Sequence, residues 1–388
     1  MRVRTRSALF AAVAGLLFVG SACASAHVAA APAEPPVLHA QARIVTASEI
    51  TTEAELSGRA ERALLEQRWQ DAVRAYRTLA SADPDGPRAC EYLFDLALAL
   101  EGLQERAQAR DVLVDLARRF PGDKKARSAL VRAATLDAYL EDWSALKAIG
   151  NALLARGDLE DVDRLVALGA RGLAAVELRE ETEASRDILD GLDLADQLHY
   201  GERDVLPVAI AELYFALGEL RRLRSEKNQL VPDGDFLELL DRRCAGLLQA
   251  QAAYARAVRS VDLHWATMAG YRVGEMYRAL HSDLMRIPPP SAKSERQKAI
   301  FYAFMHVRYR VLLEKGLREL EQTIALGERT SDSSLWMARA REARALMQAA
   351  LADEREQIAK MPFTEGEVQK ALELLKKRVS PSKKPGSV

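Results

Sequence analysis

The sequence predicts an all-α protein built from stacked helical hairpins, and three observations carry that expectation. A register recurs every 37 residues: Trp69, Arg106 and Trp143 share one slot, Ala72, Ala109 and Leu146 the next, then Leu79, Leu116 and Leu153, then Pro84, Pro121 and Asp158. A fixed period in this range marks repeated supersecondary units, each leaving an apolar face that only a neighbour can cover. Leu, Ala, Glu and Arg dominate while aromatics are only 6% of the 388 residues, which favours helix over β-sandwich or barrel. The downstream segments are long amphipathic runs broken only at clear turn sequences.

Residues 1 to 26 read as a bacterial secretory signal peptide. Arg2, Arg4 and Arg6 form its basic start, and "ALFAAVAGLLFVG" its apolar core. That core is too short to span a membrane comfortably, and no other stretch is long and uncharged enough to do so. Two cleavage readings stand. "GSAC" ends in Cys23 like a lipobox, although Gly20 occupies the place where an aliphatic residue is usual. "ASA" at Ala24, Ser25 and Ala26 fits ordinary signal cleavage. Lipidation of Cys23 is the preferred reading, and soluble periplasmic release the alternative. Residues 27 to 52, with "APAEPP", then read as a flexible tether.

The repeat proper covers residues 53 to 197. In the first unit, "ELSGRAERALLEQ" and "WQDAVRAYRTLASAD" read as two helices, with Ala60 and Ala72 small enough to let them approach closely and Pro84 ending the hairpin. The spacing of Ala60, Trp69, Ala72, Tyr76, Leu79 and Pro84 resembles the tetratricopeptide repeat family. The second unit, from Cys90 to Asp123, matches with Leu93, Ala97, Ala109, Leu113, Leu116 and Pro121. The third, from Arg127, keeps Leu130, Ala134, Trp143 and Leu153, but places Leu146 and Gly150 in two pattern slots. The fourth, from about Leu165, keeps Gly172 and Ala184. The step exceeds the family's usual 34 because the connections are lengthened, as in "DPDGPR". The resemblance implies a right-handed solenoid whose first helices line a groove.

Residues 198 to 287 are expected to form degenerate helical hairpins. Pro288, Pro289 and Pro290 then impose a break, and residues 291 to 378 hold two long helices, about Glu295 to Arg329 and about Ser333 to Lys360, with a short one at Glu365 to Arg378. Residues 379 to 388 read as a disordered basic tail. Cys90 and Cys244 lie 154 residues apart, so two free buried thiols are expected instead of a bridge.

No phosphate loop, dinucleotide fingerprint, nucleophile elbow or paired-histidine zinc motif occurs in the chain. His27 and His39 fall in the tether, and His199, His264, His281 and His306 lack ligands at sequence spacing, so neither metal nor cofactor is expected. Net charge is −1, and removal of the leader makes the chain about three units more acidic; with basic and acidic residues interleaved, no nucleic-acid surface is expected. The "RGD" at Arg156 to Asp158 reads as a helix stop and start, with Gly157 the C-terminal cap and Asp158 the next N-cap.

The resemblance places the groove slots at Ser57, Glu61 and Leu64, at Phe94, Leu98 and Glu101, and at Val131, Thr135, Ala138 and Tyr139. An apolar peptide strip or helix would suit this surface, and so would packing by another helix of the same chain. A second possible surface is the aromatic segment with Trp265, Tyr271, Tyr277 and Tyr302, although a stripe at helical spacing also suits a core. The expectation is therefore a non-enzymatic scaffold for protein-protein interaction on the periplasmic side of a bacterial envelope, outer-membrane-anchored if Cys23 carries lipid. It resembles the tetratricopeptide lipoproteins of outer-membrane assembly, Tol-Pal coordination and gliding machinery. The alternatives are an envelope-polymer hydrolase or lyase on a helical toroid, with paired carboxylates doing acid and base work, and a secretion-machine pilot or adaptor subunit.

Overall fold

A computed structural model of the chain describes residues 47–200, 207–231, 236–259, 262–289, 294–330, 334–364, 366–368 and 370. The signal peptide, Cys23, most of the tether and the basic tail lie outside the described residues, as does most of the short helix expected at 365 to 378. Among the described residues every regular element is an α-helix. No helix there is long and apolar enough to cross a membrane.

The first four hairpins are α1 (Ala47–Leu65) with α2 (Trp69–Ala82), α3 (Ala89–Gly102) with α4 (Arg106–Arg119), α5 (Lys124–Leu140) with α6 (Trp143–Leu154), and α7 (Asp161–Glu177) with α8 (Glu181–Gln197). Their tight turns share one device. Gln67, Gln104, Glu141 and Arg179 each adopt a left-handed φ, between 58 and 66°. At each, the next residue's N–H reaches back five positions to close the helix: Arg68 to Ala63, Glu105 to Leu100, Asp142 to Asp137 and Glu180 to Ala175, at 2.8 to 3.0 Å. This is the Schellman termination, in which glycine normally sits. It recurs at 37, 37 and 38 residues, so the backbone carries the register that the side-chain slots announced.

Those slots are packed as the resemblance implies. Ala60, Ala97 and Ala134 on the first helices are fully buried, as are Ala72, Ala109, Leu146 and Ala184 on the second. Leu113, Leu116 and Leu153 are also fully buried, each contributing about 2 kcal/mol of apolar burial. The units are tied along one edge as well. Arg119 donates to the carbonyl of Pro84, and Arg156 to that of Pro121 at 3.2 Å, so each second helix holds the preceding connection. The connection after α2 runs through residues 83–88, but the one after α4 is shorter because Asp123 accepts from the Lys125 N–H at 2.7 Å and starts α5 early.

The caps around "RGD" differ from expectation: α6 is capped by Ala155 and α7 by Glu160, not by Gly157 and Asp158. Arg156 forks onto both oxygens of Asp158, at 2.8 and 2.9 Å, so the arginine and aspartate of the tripeptide are paired with each other at the surface.

Beyond the hairpins come α9 (Val208–Glu226), α10 (Phe236–Val258), α11 (Leu263–Met285), α12 (Glu295–Arg329) and α13 (Leu335–Ala359). Consecutive helices pack against each other, and α9 touches α7, α8, α10 and α11. Every residue of α9 from Ile210 to Leu220 is buried, which is how a helix surrounded on all sides reads. Glu212 and Glu219 are carried inward with it.

Candidate functional site

The first helices touch one another in series, α3 with α5, α5 with α7 and α7 with α9, whereas no comparable contact joins α2 to α4 or α4 to α6. The first helices therefore form the more closely spaced, inner face, which is the face carrying the predicted groove slots.

On that face Leu64, Phe94, Leu98, Val131 and Thr135 are half-buried, leaving apolar surface open to solvent on α1, α3 and α5. Polar pairs border them. Glu61 is exposed and lies 3.6 Å from Arg88, Glu101 pairs with Arg132, and the Lys125 ammonium sits 4.9 Å over the Phe94 ring. Thr135 satisfies its hydroxyl on its own helix, donating to the Val131 carbonyl at 3.4 Å. Ser57 is buried between Glu61 and Arg88, to which it donates and from which it accepts at 3.0 and 3.1 Å, so it braces the face from beneath. Ala138 is fully buried.

Tyr139 is not free for a partner. Its hydroxyl donates to Asp262, the N-cap of α11, and its ring stacks on His264 at 3.8 Å with Trp265 edge-on at 5.9 Å. Arg106 covers the same ring at 5.2 Å. Two residues on, Glu141 pairs with Arg339 of α13 at 2.6 Å. The turn of the third hairpin is thus occupied by the chain's own later helices, and the open inner face spans α1, α3 and the first part of α5.

The second predicted surface is corrected in part. Trp265 is 1% exposed, wedged against Phe215 at 5.5 Å, and belongs to the core. Tyr271 is half-buried against Trp336 at 5.4 Å, and half-buried Tyr277 donates to Gln251 at 2.9 Å. Only Tyr302 among the four stands out, 43% exposed on α12. Aromatics at helical spacing were filling space between α9, α11 and α13. The "RALHSDLMR" stretch is likewise helix through Met285, with His281 and Leu284 buried.

Several buried charged groups had no local sequence signal. Burial, and then the nearby Asp262, push the Glu212 carboxyl up to about 8. Burial and the neighbouring Glu219 raise Glu177 to about 7. Glu219 is fully buried too, but Arg272 and Arg222, at 2.9 and 2.5 Å, and the Tyr254 hydroxyl at 2.7 Å outweigh burial and keep it ionised. Burial raises Asp137 to about 6, with Arg110 at 2.6 Å offsetting only part of it. From three different helices, His281 and His306 converge on Glu354, at 3.1 and 2.8 Å. Burial alone would raise that carboxyl; the two histidines hold it down to about 2.

Among the described residues no cluster of three or more His, Cys, Asp or Glu side chains has the geometry of a metal site. Cys90 and Cys244 are free, the first buried and the second half-buried, and burial raises the Cys90 thiol to about 11, which leaves it unreactive.

Neither a protein-family model nor a curated protein matches this chain. A solved structure, a tetratricopeptide repeat protein from Parabacteroides merdae, is similar at 12% identity and a TM-score of 0.41, over 77% of this chain and 99% of that one. A likeness of that size carries no conclusion about function.

Proposed function

We propose that this chain is an exported scaffold, anchored by lipid at Cys23, that binds other proteins of a bacterial cell envelope along the inner face of its N-terminal hairpins. The observation that carries the reading is the row Leu64, Phe94, Leu98 and Val131. These apolar side chains sit half-open on three successive first helices, where a monomeric core would have covered them. The ion pairs Glu61 with Arg88 and Glu101 with Arg132 give the row a polar rim, the anatomy of a peptide-binding surface. An extended segment or one face of an amphipathic helix is the kind of partner that such a row takes.

The leader, the lipobox-like "GSAC" and the tether support export and anchoring. Hydrolysis of an envelope polymer is less well supported. Of the carboxylates with raised pKa that such chemistry would recruit, Glu212 is 3% exposed and half-buried Glu177 lies 3.9 Å from Arg272. Glu212 is closed off from a polymer, and Glu177 keeps only part of its side chain at the surface.

The test is recovery of envelope partners by the native chain and by a Phe94→Ala, Leu98→Ala form, quantified side by side at matched expression. Loss of a defined set of partners supports the reading. Recovery of an identical set at identical yield contradicts it.

A further inference from the structure

A cleft of about 370 Å³ opens where the turn between α7 and α8 meets the last turns of α9, on helices that take no part in the open inner face. Its floor is apolar: Val176 and Leu220 are buried and Leu223 half-buried. Five charged residues surround that floor, namely Arg179, Arg224, Lys227, Glu181 and Glu226.

The two carboxylates are already engaged. Glu226 takes both its oxygens to one nitrogen of Arg222, each at 2.9 Å, and Arg222 continues inward to Glu219. Glu181 accepts from Lys227 and from Arg224 at 2.8 Å, and those bonds hold its carboxyl below the usual range. Two of the three rim cations, Arg224 and Lys227, therefore share one outward-facing carboxylate, and Arg224 also donates to the Ser185 hydroxyl. Arg179 is exposed at a left-handed turn position with φ 66°, so the turn and not a partner sets its position; among the described residues no hydrogen bond or ion pair engages its guanidinium.

We propose that this cleft binds an acidic peptide segment in which a carboxylate side chain stands beside a large apolar one. The apolar side chain covers Val176, Leu220 and Leu223, for which the volume leaves room. The carboxylate meets Arg179 and shares Lys227 with Glu181. Arginine supplies a planar fork suited to a carboxylate, and the apolar floor excludes water from one side of the pair. The site is separate from the inner face and contributes a second contact to any partner long enough to reach both, with the gain that linked sites give.

Fluorescence anisotropy on the purified full chain tests this. The probes are a labelled, C-terminally amidated hexapeptide with two glutamates followed by leucine and phenylalanine, and the same peptide with glutamines. The glutamate peptide is expected to bind at least tenfold tighter, to weaken with salt, and to lose at least tenfold with Arg179→Ala plus Lys227→Ala. Phe94→Ala plus Leu98→Ala should leave it unchanged, which separates this site from the inner face. Helical circular dichroism confirms folding, and the single variant Arg179→Gln, at an exposed position, repeats the test if the pair misfolds. Equal binding of the two peptides, or undiminished binding by the variants, overturns the proposal. So does binding of phosphatidylglycerol vesicles through the same cations with neither peptide bound.

Discussion

Tyr139 on α5 donates its hydroxyl to Asp262 at the start of α11, 123 residues further along the chain. That bond, with Glu141 to Arg339, joins the third hairpin to helices from the far end of the sequence. Asp262 also accepts from the N–H groups of His264 and Trp265 at 2.8 and 3.1 Å, so it keeps partners when the tyrosine is lost. Tyr139→Phe is therefore expected to cost about 1 kcal/mol and not the full penalty of an orphaned carboxylate. Urea unfolding at constant slope measures it, and an unchanged midpoint would show that the contact does not hold in solution.

The pH dependence of stability has opposite signs at two buried glutamates. Glu212 is raised to about 8 in the folded chain, whereas an unfolded glutamate titrates near ~4.3. The unfolded form thus loses its proton first, so the contribution of Glu212 is fully present below ~4.3 and is lost as pH rises to about 8. Glu354, held at about 2, contributes above ~4.3 and loses that contribution as pH falls towards about 2. Glu212→Gln should stabilise the protein at pH 8 relative to pH 5 by at least ~1.4 kcal/mol, a roughly tenfold change in the folding equilibrium. Unfolding curves of the native and variant chains at the two pH values decide it, and a constant difference contradicts the assignment.

Two neighbouring positions should respond in opposite directions to small changes. Gln104 holds φ 63°, a conformation glycine adopts without a Cβ penalty, so Gln104→Gly is expected to stabilise by about 0.5–1 kcal/mol. At Gly102 a Cβ would overlap the indole of Trp69, so Gly102→Ala should destabilise by about 1–3 kcal/mol. Thermal unfolding of both variants checks the pair, and equal signs would count against the turn geometry.

How much of this was legible in the sequence follows the range of each interaction. Periodicity is local, so Trp69 marked the start of α2 and Glu295 to Arg329 the whole of α12. The Schellman turns were not foreseen, because Gln67, Gln104, Glu141 and Arg179 stand where glycine would have announced them. On the inner face, Leu64, Phe94 and Leu98 are half-buried, whereas Tyr139 is taken up by contacts with α11. Nothing near Tyr139 in sequence records that α11 covers it. The meeting of His281, His306 and Glu354 is hidden for the same reason, since each arrives on a different helix.

The proposed anchoring rests on Cys23 alone. A Cys23→Ala form is expected to leave the membrane fraction and appear in the soluble envelope fraction, with the signal peptide cut at "ASA". Metabolic labelling with a palmitate analogue reads the same outcome directly. Unaltered fractionation with no label on the native chain would remove lipidation from the account.

The inner face itself is tested most directly by site-specific photo-crosslinking in the native envelope. A photoreactive amino acid is placed at Leu64 or Leu98 on the inner face and, as the comparison, at Leu189, which is 56% exposed on α8, a second helix. Adducts to the same partner from both inner positions and none from Leu189 are the predicted result. Adducts from Leu189 alone, or equally from all three, would contradict binding along the first helices.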